Sequence, residues 1–503
     1  MRITWTGKRI DTCDAALVVV LSREGGRNRA FEDLDRLSGG ALGTQAAEES
    51  FKGQDGRLLE WRGDVGGRTR RVAAVGIGSR PAGAATVREA VARGYGAAVR
   101  QRVRTAALFL DADQSAAVPA RIGWAVEALH LASYRFDAYR TKPAAGVEVR
   151  LFSVGVHRVT GRAQTAAFEA TVAGAAARAA AVNLCRDLVN EPASSLGPVQ
   201  FAATAKRVAR EKRLVCSVWS AEMLRRRGMR LILAVAEGSG VEPRLVHLTY
   251  KPARRASRRV VLIGKGVTFD SGGLCLKPVK SMSDMKTDMA GGAVVLAALS
   301  AAAQLGMDAE VHALIPLAEN GVGPGAARPG DVVKGYSGTT VEIVNTDCEG
   351  RLLLADALAY ACELGADEIV DFATLTGACP IALGPHRAGF LATDDTLARR
   401  FEDAAAAAGE LVWRLPLADE LERDLRSDVA DIKNAGGRFG GTIAGGLFLK
   451  RFVKAATPWL HVDIAGPARA ENTTPLCPRG GTGYGVLTCL AFLERGVDNG
   501  HPR

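Results

Sequence analysis

The feature that most constrains this chain is a change of hydrophobic period near residue 345. Residues 340–344, Thr-Val-Glu-Ile-Val, are β-branched and read as a buried strand, and residues 351–364 read as an apolar helix. Between them stand Asn345-Thr346-Asp347-Cys348-Glu349-Gly350, with Arg351 opening the helix. Two carboxylates and an arginine therefore occupy a strand-to-helix switch, which is where open α/β sheets bind ligands. In extended chain, residues two apart face one side, so Asp347 and Glu349 would converge. Adjacent acids repel unless a cation or a proton holds them. The alternative is a plain turn, with Asp and Gly in their usual turn roles.

Strand and helix patterns alternate through the rest of the chain. In the first third, residues 15–22, 71–78, 105–111 and 147–154 have strand character, and 86–103 and 119–138 have helical spacing. That alternation implies a mostly parallel sheet. Residues 38–66, rich in Gly and polar residues, read as loop. Gly76-Ile77-Gly78 lacks the third glycine of a phosphate loop and reads as a strand-end turn. An Ala-rich helix over 164–188 ends before Pro192. The expected organisation is an N-terminal α/β domain over 1–163, a linker helix over 164–190, and a C-terminal catalytic domain over 191–503. In the last of these, 230–236, 245–250, 259–264, 309–317, 368–374 and 459–464 read as strands, 290–305 and 485–494 as helices, and 319–330 as loop.

The chain has 503 residues, too many for one core, so two domains are expected. No apolar run of about 18 residues is free of charged or turn residues, which argues against a membrane span. The N-terminus has no apolar segment followed by a small-residue cleavage site, so the expected compartment is the cytoplasm. The nine cysteines form no Cys-x-x-Cys pair and suit a reducing environment. Of the net charge of +11, residues 1–163 carry +9 (26 Lys and Arg against 17 Asp and Glu). This fits an Arg-rich solubilising surface; the sharper reading is a nucleic-acid partner, although no zinc-finger or RNA-binding signature accompanies it.

Two further acidic clusters follow strands or precede helices. Lys265, Asp270 and Lys277 lie just after strand 259–264, and Asp288 just before helix 290–305. Singly, each acid has a structural explanation; Asp288 suits a helix start. Together, Asp270, Asp288, Asp347 and Glu349 are expected at the edge of one sheet. Four carboxylates in one crevice carry about −4 and need cations, which two divalent ions would supply. Oxygen donors suit Mg²⁺ or Mn²⁺, with Zn²⁺ also compatible. His312, His386 and His461 are too scattered to be ligands and read as structural. A lysine touching a metal must be neutral, while a second lysine and the arginine could face a developing oxyanion. The chemistry is metal-assisted hydrolysis, and these residue types would serve a phosphate ester as well as a peptide.

These clusters resemble the leucyl aminopeptidases, also called cytosol aminopeptidases. The block 345–352 is similar to that family's signature, with Cys348 where the family usually has Ala. The likeness extends over Gly264 to Pro278, Met285 to Gly292, Leu317-Ala318-Glu319-Asn320, Arg328-Pro329-Gly330-Asp331, residues 373–378, Trp413-Arg414-Leu415-Pro416-Leu417, Ala430-Asp431-Ile432-Lys433-Asn434 and His461 to Gly466. It spans roughly 185–490; residues 1–163 match only in size and α/β character. The resemblance implies a macro-like N-terminal α/β domain and a larger catalytic α/β domain, whose mixed, mostly parallel sheet is flanked by helices. It implies that Asp270 and Glu349 bridge two metals, that Lys265 and Asp288 complete one site, and that Asp347 holds the other. Lys277 would stabilise the oxyanion, and Arg351 would hold a bicarbonate acting as general base. Substrate would be bound by Met285, Thr374, Leu375, Gly377 and Ala465, with Ala468 enlarging the specificity pocket. The resemblance further implies short peptide substrates and a homohexamer built as a dimer of trimers. Residues 321–325, Gly-Val-Gly-Pro-Gly, depart from the family's Met-Pro loop. Cys348 is expected to point away from its acidic neighbours, as extended chain would dictate.

Overall fold

Strand Leu17–Ser22, Leu-Val-Val-Val-Leu-Ser, is buried at every position, as expected of a parallel strand covered on both faces. In the computed structural model, which describes residues 1–26, 28–79, 82–111, 118–142, 149–157, 162–256 and 258–496, it is central to a six-stranded sheet. The order is Arg2–Trp5, Leu151–His157, Thr105–Asp111, Leu17–Ser22, Thr69–Gly76 and Leu58–Asp64; only the last pair is antiparallel. Leu17 and Val19 pack under helices Ala84–Arg100 and Val118–Ala132. Val18 and Val20 pack against Leu34 and Leu42 of helices Arg29–Leu37 and Ala41–Glu48. This sheet belongs to a unit made of Met1–Ala180 with Asn472–Arg479; Ala181–Glu471 with Gly480–Arg503 forms a second. Helix Arg162–Asn190 is shared between the two.

One expectation fails in the first unit. Residues 38–66 are not loop but contain helix Ala41–Glu48 and strand Leu58–Asp64. Gly39 and Gly40, at φ 68° and 88°, make only the corner between two helices. The strand alternates, with Leu59 and Trp61 buried, as an edge strand should. Gly76-Ile77-Gly78 is a strand-end turn: Gly78 N–H donates to Gly53 O at 3.0 Å, and a Cβ on Gly76 would meet Gln54 O at 1.9 Å. Residues 147 and 148 of the expected strand 147–154 lie outside the described residues; the strand observed is Leu151–His157.

The second unit holds a nine-stranded mixed sheet. Its four inner strands, Trp459–Asp463, Glu368–Ala373, Arg259–Gly264 and Glu310–Asn320, are parallel neighbours in that order. Antiparallel strands flank them on both sides. Gly266–Asp270 pairs in parallel with the far end of Glu310–Asn320. The helix from Met285 to Leu305 is long and apolar enough to cross a membrane, but 83% of its apolar stretch is buried in this unit. Gly291 and Gly292 near its start interrupt the apolar run in the sequence.

Two expectations here are corrected. Residues 230–236, Arg-Leu-Ile-Leu-Ala-Val-Ala, read as a strand but form a helix buried at six of seven positions. Periodicity cannot separate short buried helices from buried strands. A distant group decides: Asp356, within helix Gly350–Ala361, accepts from Leu231 N and Ile232 N at 2.9 and 3.1 Å, and from Tyr336 N at 2.8 Å. Strand Thr340–Ile343 also lies outside the main sheet. It pairs with Asp331–Lys334 and Ile432–Lys433 in a separate three-stranded sheet and is buried on one face only.

The Gly-rich segment 321–325 has a packing explanation. Its backbone rests on the turn 237–239, so that a Cβ on Gly323 or Gly325 would meet Gly238 O or Glu237 O at 2.6 Å. Close approach, not a left-handed φ, requires glycine at these positions.

Asp356 is fully buried, and burial pushes its carboxyl up to about 7. Asp356→Ala strands two buried N–H groups and a partly buried third, and should destabilise the protein by about 2–4 kcal/mol. A urea unfolding midpoint that falls with an unchanged slope would show this; an unchanged midpoint would deny Asp356 the helix-capping role.

Candidate active site

The inner parallel strands end at Gly264, Ala373, Asn320 and Asp463, and the candidate residues gather beyond those carboxyl ends. Lys265 follows directly on its strand. Its N–H donates to Phe372 O at 3.0 Å and its carbonyl accepts from Gly292 N at 2.7 Å. The side chain then passes Gly350, where a Cβ would stand 2.4 Å from Lys265 Cε. Glycine after Glu349 is thus what admits the lysine.

Lys265 Nζ lies 2.8 Å from Asp288 Oδ1 and 2.9 Å from Glu349 Oε1, and donates to Thr374 O at 3.0 Å. Lys277 Nζ lies 2.8 Å from Asp270 Oδ2 and 2.5 Å from Asp347 Oδ1. Asp270, Asp347 and Glu349 join the two pairs, each offering an oxygen within 4.8 Å of the others. Asp270 Oδ1 accepts from Gly272 N and Asn320 Nδ2, both at 2.8 Å. Asp288 does not cap the following helix; its Oδ1 takes the Thr374 hydroxyl at 2.7 Å.

Asp347 and Glu349 converge by a different route from the one expected. The chain is not extended there: Cys348 N–H closes a turn onto Asn345 O at 3.2 Å, and Glu349 is already helical at φ −76°, ψ −36°. The expectation that a pleat turns Cys348 away therefore loses its basis. Burial raises the Cys348 thiol pKa, with Arg351 opposing, and this favours the protonated thiol.

The electrostatics show a shortage of positive charge. Burial alone would drive Lys265 toward neutrality, but Asp288, Glu349 and Asp270 outweigh it and hold the ammonium charged. Asp270 and Asp347 do the same for Lys277. Burial raises the carboxyls of Asp288, Glu349 and Asp347, and neighbouring carboxylates raise them further. Two ammonium groups thus face four carboxylates. Asp288 Oδ2 and Glu349 Oε2 are buried without a hydrogen-bond partner among the described residues. A hard oxygen donor set with orphaned oxygens and excess negative charge fits divalent cations.

Arg351 stands apart. It is 5% exposed, donates to Asn434 O at 2.8 Å, and lies 5.9 Å from the Phe448 ring centroid. Among the described residues it forms no ion pair with the carboxylates of the site, and its Nε has no hydrogen-bond partner. A buried guanidinium in that state suits an anion. Of the expected substrate contacts, Thr374 touches Asp288, while Leu375 N and Ala465 N both donate to Asp463 Oδ1 at 3.1 Å. Met285 is half-buried in a short turn against Gly266–Asp270. Gly377 is exposed, with open space where a side chain would start. Ala468 is buried at 4% exposure.

Sequence reasoning assigned no role to Asn320 or Asp463. Asp463 Oδ2 accepts from Thr376 N at 3.1 Å and its hydroxyl at 2.7 Å, so one fully buried carboxylate sets residues 375, 376 and 465. His461, two residues earlier, bonds Asp371 at 2.5 Å and serves the same interior. A polar residue ending a parallel strand was the available signal for both, as it was for Asp270.

The family model for the "Cytosol aminopeptidase family, catalytic domain" matches residues 183–490, and that for its N-terminal domain matches 18–143. The second match reaches a region where sequence patterns added little. A "Probable cytosol aminopeptidase" of Syntrophotalea carbinolica is 40% identical over 467 residues, covering 92% of this chain and 94% of that protein. One from Prochlorococcus marinus is 40% identical over 494 residues, 97% of each. Among solved structures, "Bottromycin maturation enzyme BotP in complex with Mn" is similar at a TM-score of 0.83 and 38% identity, covering 95% of this chain and 99% of that one. A mutant of tomato leucine aminopeptidase gives 0.87 and 32%, covering 98% and 96%. The two-domain mixed α/β fold, the matches along nearly its whole length and the acidic site at the strand ends agree: the chain belongs to the cytosol aminopeptidase family and is a peptidase.

Proposed function

We propose that the chain is a metal-dependent aminopeptidase releasing N-terminal residues, leucine and other mainly apolar ones, from short peptides. The observation that carries this reading is the buried cradle in which four carboxylates outnumber two ammonium groups. Asp270 and Glu349 would bridge two divalent ions, with Lys265 and Asp288 completing one site and Asp347 the other. Mn²⁺ or Zn²⁺ would fill them, and Mg²⁺ suits the same oxygens. Such ions, when bound, act as Lewis acids and make water nucleophilic at neutral pH. To serve as a donor, Lys265 must give up the proton that Asp288 and Glu349 now hold on it.

Lys277, with a side chain 14% exposed against 3% for Lys265, is the ammonium that substrate can reach. It would steady negative charge on the scissile carbonyl oxygen. Arg351 would hold a bicarbonate as general base. Asp463 fixes the main chain of Leu375, which would orient the peptide. The N-terminal side chain would lie among Met285, Thr374, Gly377 and Ala465, with the open space at Gly377 favouring bulky groups. The same reading carries a cytoplasmic homohexamer, a dimer of trimers.

Two experiments test this. In chelator-stripped protein, Mn²⁺ at about 100 times its Kd should add about 2.7 kcal/mol of stability, read as a raised unfolding temperature. At one fixed Mn²⁺ concentration, the gain should be larger near pH 8 than near pH 5.5. The raised pKa values of Asp288, Asp347 and Glu349 keep protons competing at the lower pH. No shift at the higher pH would mean that the two lysines alone satisfy the cradle. In the second, Lys277→Ala and Glu349→Ala should each lower turnover of leucine anilide at least about 10²-fold with the near-ultraviolet dichroism retained. Hydrolysis of a phosphodiester but not of leucine, phenylalanine or alanine anilides would refute the peptidase assignment.

A further inference from the structure

Asn434 follows the two-residue strand Ile432–Lys433, at the edge of the small sheet that carries Thr340–Ile343. It is fully buried, at 0% exposure. Its Oδ1 accepts from Val344 N at 2.9 Å and Asn345 N at 3.2 Å. Its Nδ2 donates to Asn345 O at 2.7 Å and Cys348 O at 3.4 Å. The amide orientation is forced, because two N–H groups face one end and two carbonyls face the other. Its own N–H continues the strand pairing onto Glu342 O at 2.9 Å, and its carbonyl takes the Arg351 guanidinium at 2.8 Å.

Apart from that strand pairing, every hydrogen bond of this residue goes to the segment 344–351, which carries Asp347, leads into Glu349 and ends at Arg351. The segment's other side is held separately. Thr346 Oγ1 donates to Gly272 O at 2.7 Å and accepts from Cys275 N at 2.8 Å, and Asn320 Nδ2 donates to Thr346 O at 3.0 Å. Residues 344–348 are gripped from both sides, and on the Asn434 side a single side chain does the gripping. Only a short primary amide can do this: aspartate lacks the two donors, and glutamine is one carbon too long.

We propose that Asn434 is a positioning residue for the cation cradle, setting residues 344–348 so that Asp347 and Glu349 present their oxygens together. This rests on the proposed metal-dependent reading. The small sheet supplies its own control. Asp431, three residues earlier, accepts from Thr340 N and Thr340 Oγ1, both at 2.8 Å, and so secures the opposite end of strand Thr340–Ile343. Losing Asp431 loosens the sheet but not the acidic segment.

The test is direct Mn²⁺ binding to chelator-stripped full-length protein, by titration calorimetry and by the spin-resonance signal of free Mn²⁺. Asn434→Ala should weaken at least one site by about 10–100-fold, whereas Asp431→Ala should stay within about threefold of wild type. Should Asn434→Ala not fold, Asn434→Asp keeps the shape and the two accepted bonds. Its added charge draws cations nearer, so weaker binding there supports the proposal all the more. Wild-type affinity in either folded Asn434 variant, or equal losses in the Asn434 and Asp431 variants, overturns it. A wild-type protein that binds no Mn²⁺ overturns the metal reading as well.

Discussion

Everything in the second unit is arranged around an imbalance of buried charge. Two ammonium groups are shared among Asp270, Asp288, Asp347 and Glu349, three of whose carboxyls are pushed above their ordinary values by burial and by one another. A buried charge without a partner is among the most destabilising groups a protein can hold. The fold therefore has to hold these side chains close enough to share cations, with Asp270, Asp288 and Glu349 buried and Asp347 partly exposed. It does so by placing each at the end of a strand or the start of a helix, where the backbone is rigid on one side and its direction changes on the other.

Backbone proximity makes this arrangement feasible. Lys265 reaches Asp288 and Glu349 because Gly350 has no side chain, and its own backbone sits on Gly292. A Cβ on Gly291 would meet Phe372 O at 2.0 Å, so without glycine there helix Ala290–Leu305, which follows directly on Asp288, could not approach strand Glu368–Ala373. The glycines in these motifs act as missing volume rather than as flexible joints. The same logic applies to residues 321–325, where the turn 237–239 occupies the space that side chains would need.

What was legible in the sequence follows from this. The inner strands were readable because a parallel strand covered on both faces is apolar throughout, as in Leu17–Ser22 and Arg259–Gly264. The acids were readable as a group because no single structural role accounts for carboxylates at several strand ends. What could not be read depended on distant partners. Residues 230–236 carry no local sign of helix, because the capping group is Asp356, more than a hundred residues away. The convergence of Asp347 and Glu349 was anticipated for a wrong reason. A turn brings them together: Asn345 Oδ1 takes the Asp347 N–H at 2.9 Å from within it, but the grip of Asn434 on residues 344–348 comes from about ninety residues away and has no local sign. The glycines of 38–66 suggested loop because composition does not distinguish a glycine that makes one corner from a run that makes none.

Asn320, Asp463 and Asn434 complete the picture and share one physical role. Each lies at or just beyond a strand end, each is buried, and each uses a short planar side chain to bond more than one partner in the irregular chain nearby. Irregular backbone beside a charged site has donors and acceptors that no helix or sheet can satisfy, and leaving them unpaired would be as unfavourable as mispairing the carboxylates. Asparagine serves where both donors and acceptors need partners, as at residues 344–348. Aspartate serves where only N–H and O–H groups do, as at residues 375–376 and 465. The choice of residue at each position reports the local hydrogen-bond deficit. The cradle's geometry is therefore determined as much by the neutral and anionic side chains beneath the loops as by the acids above them.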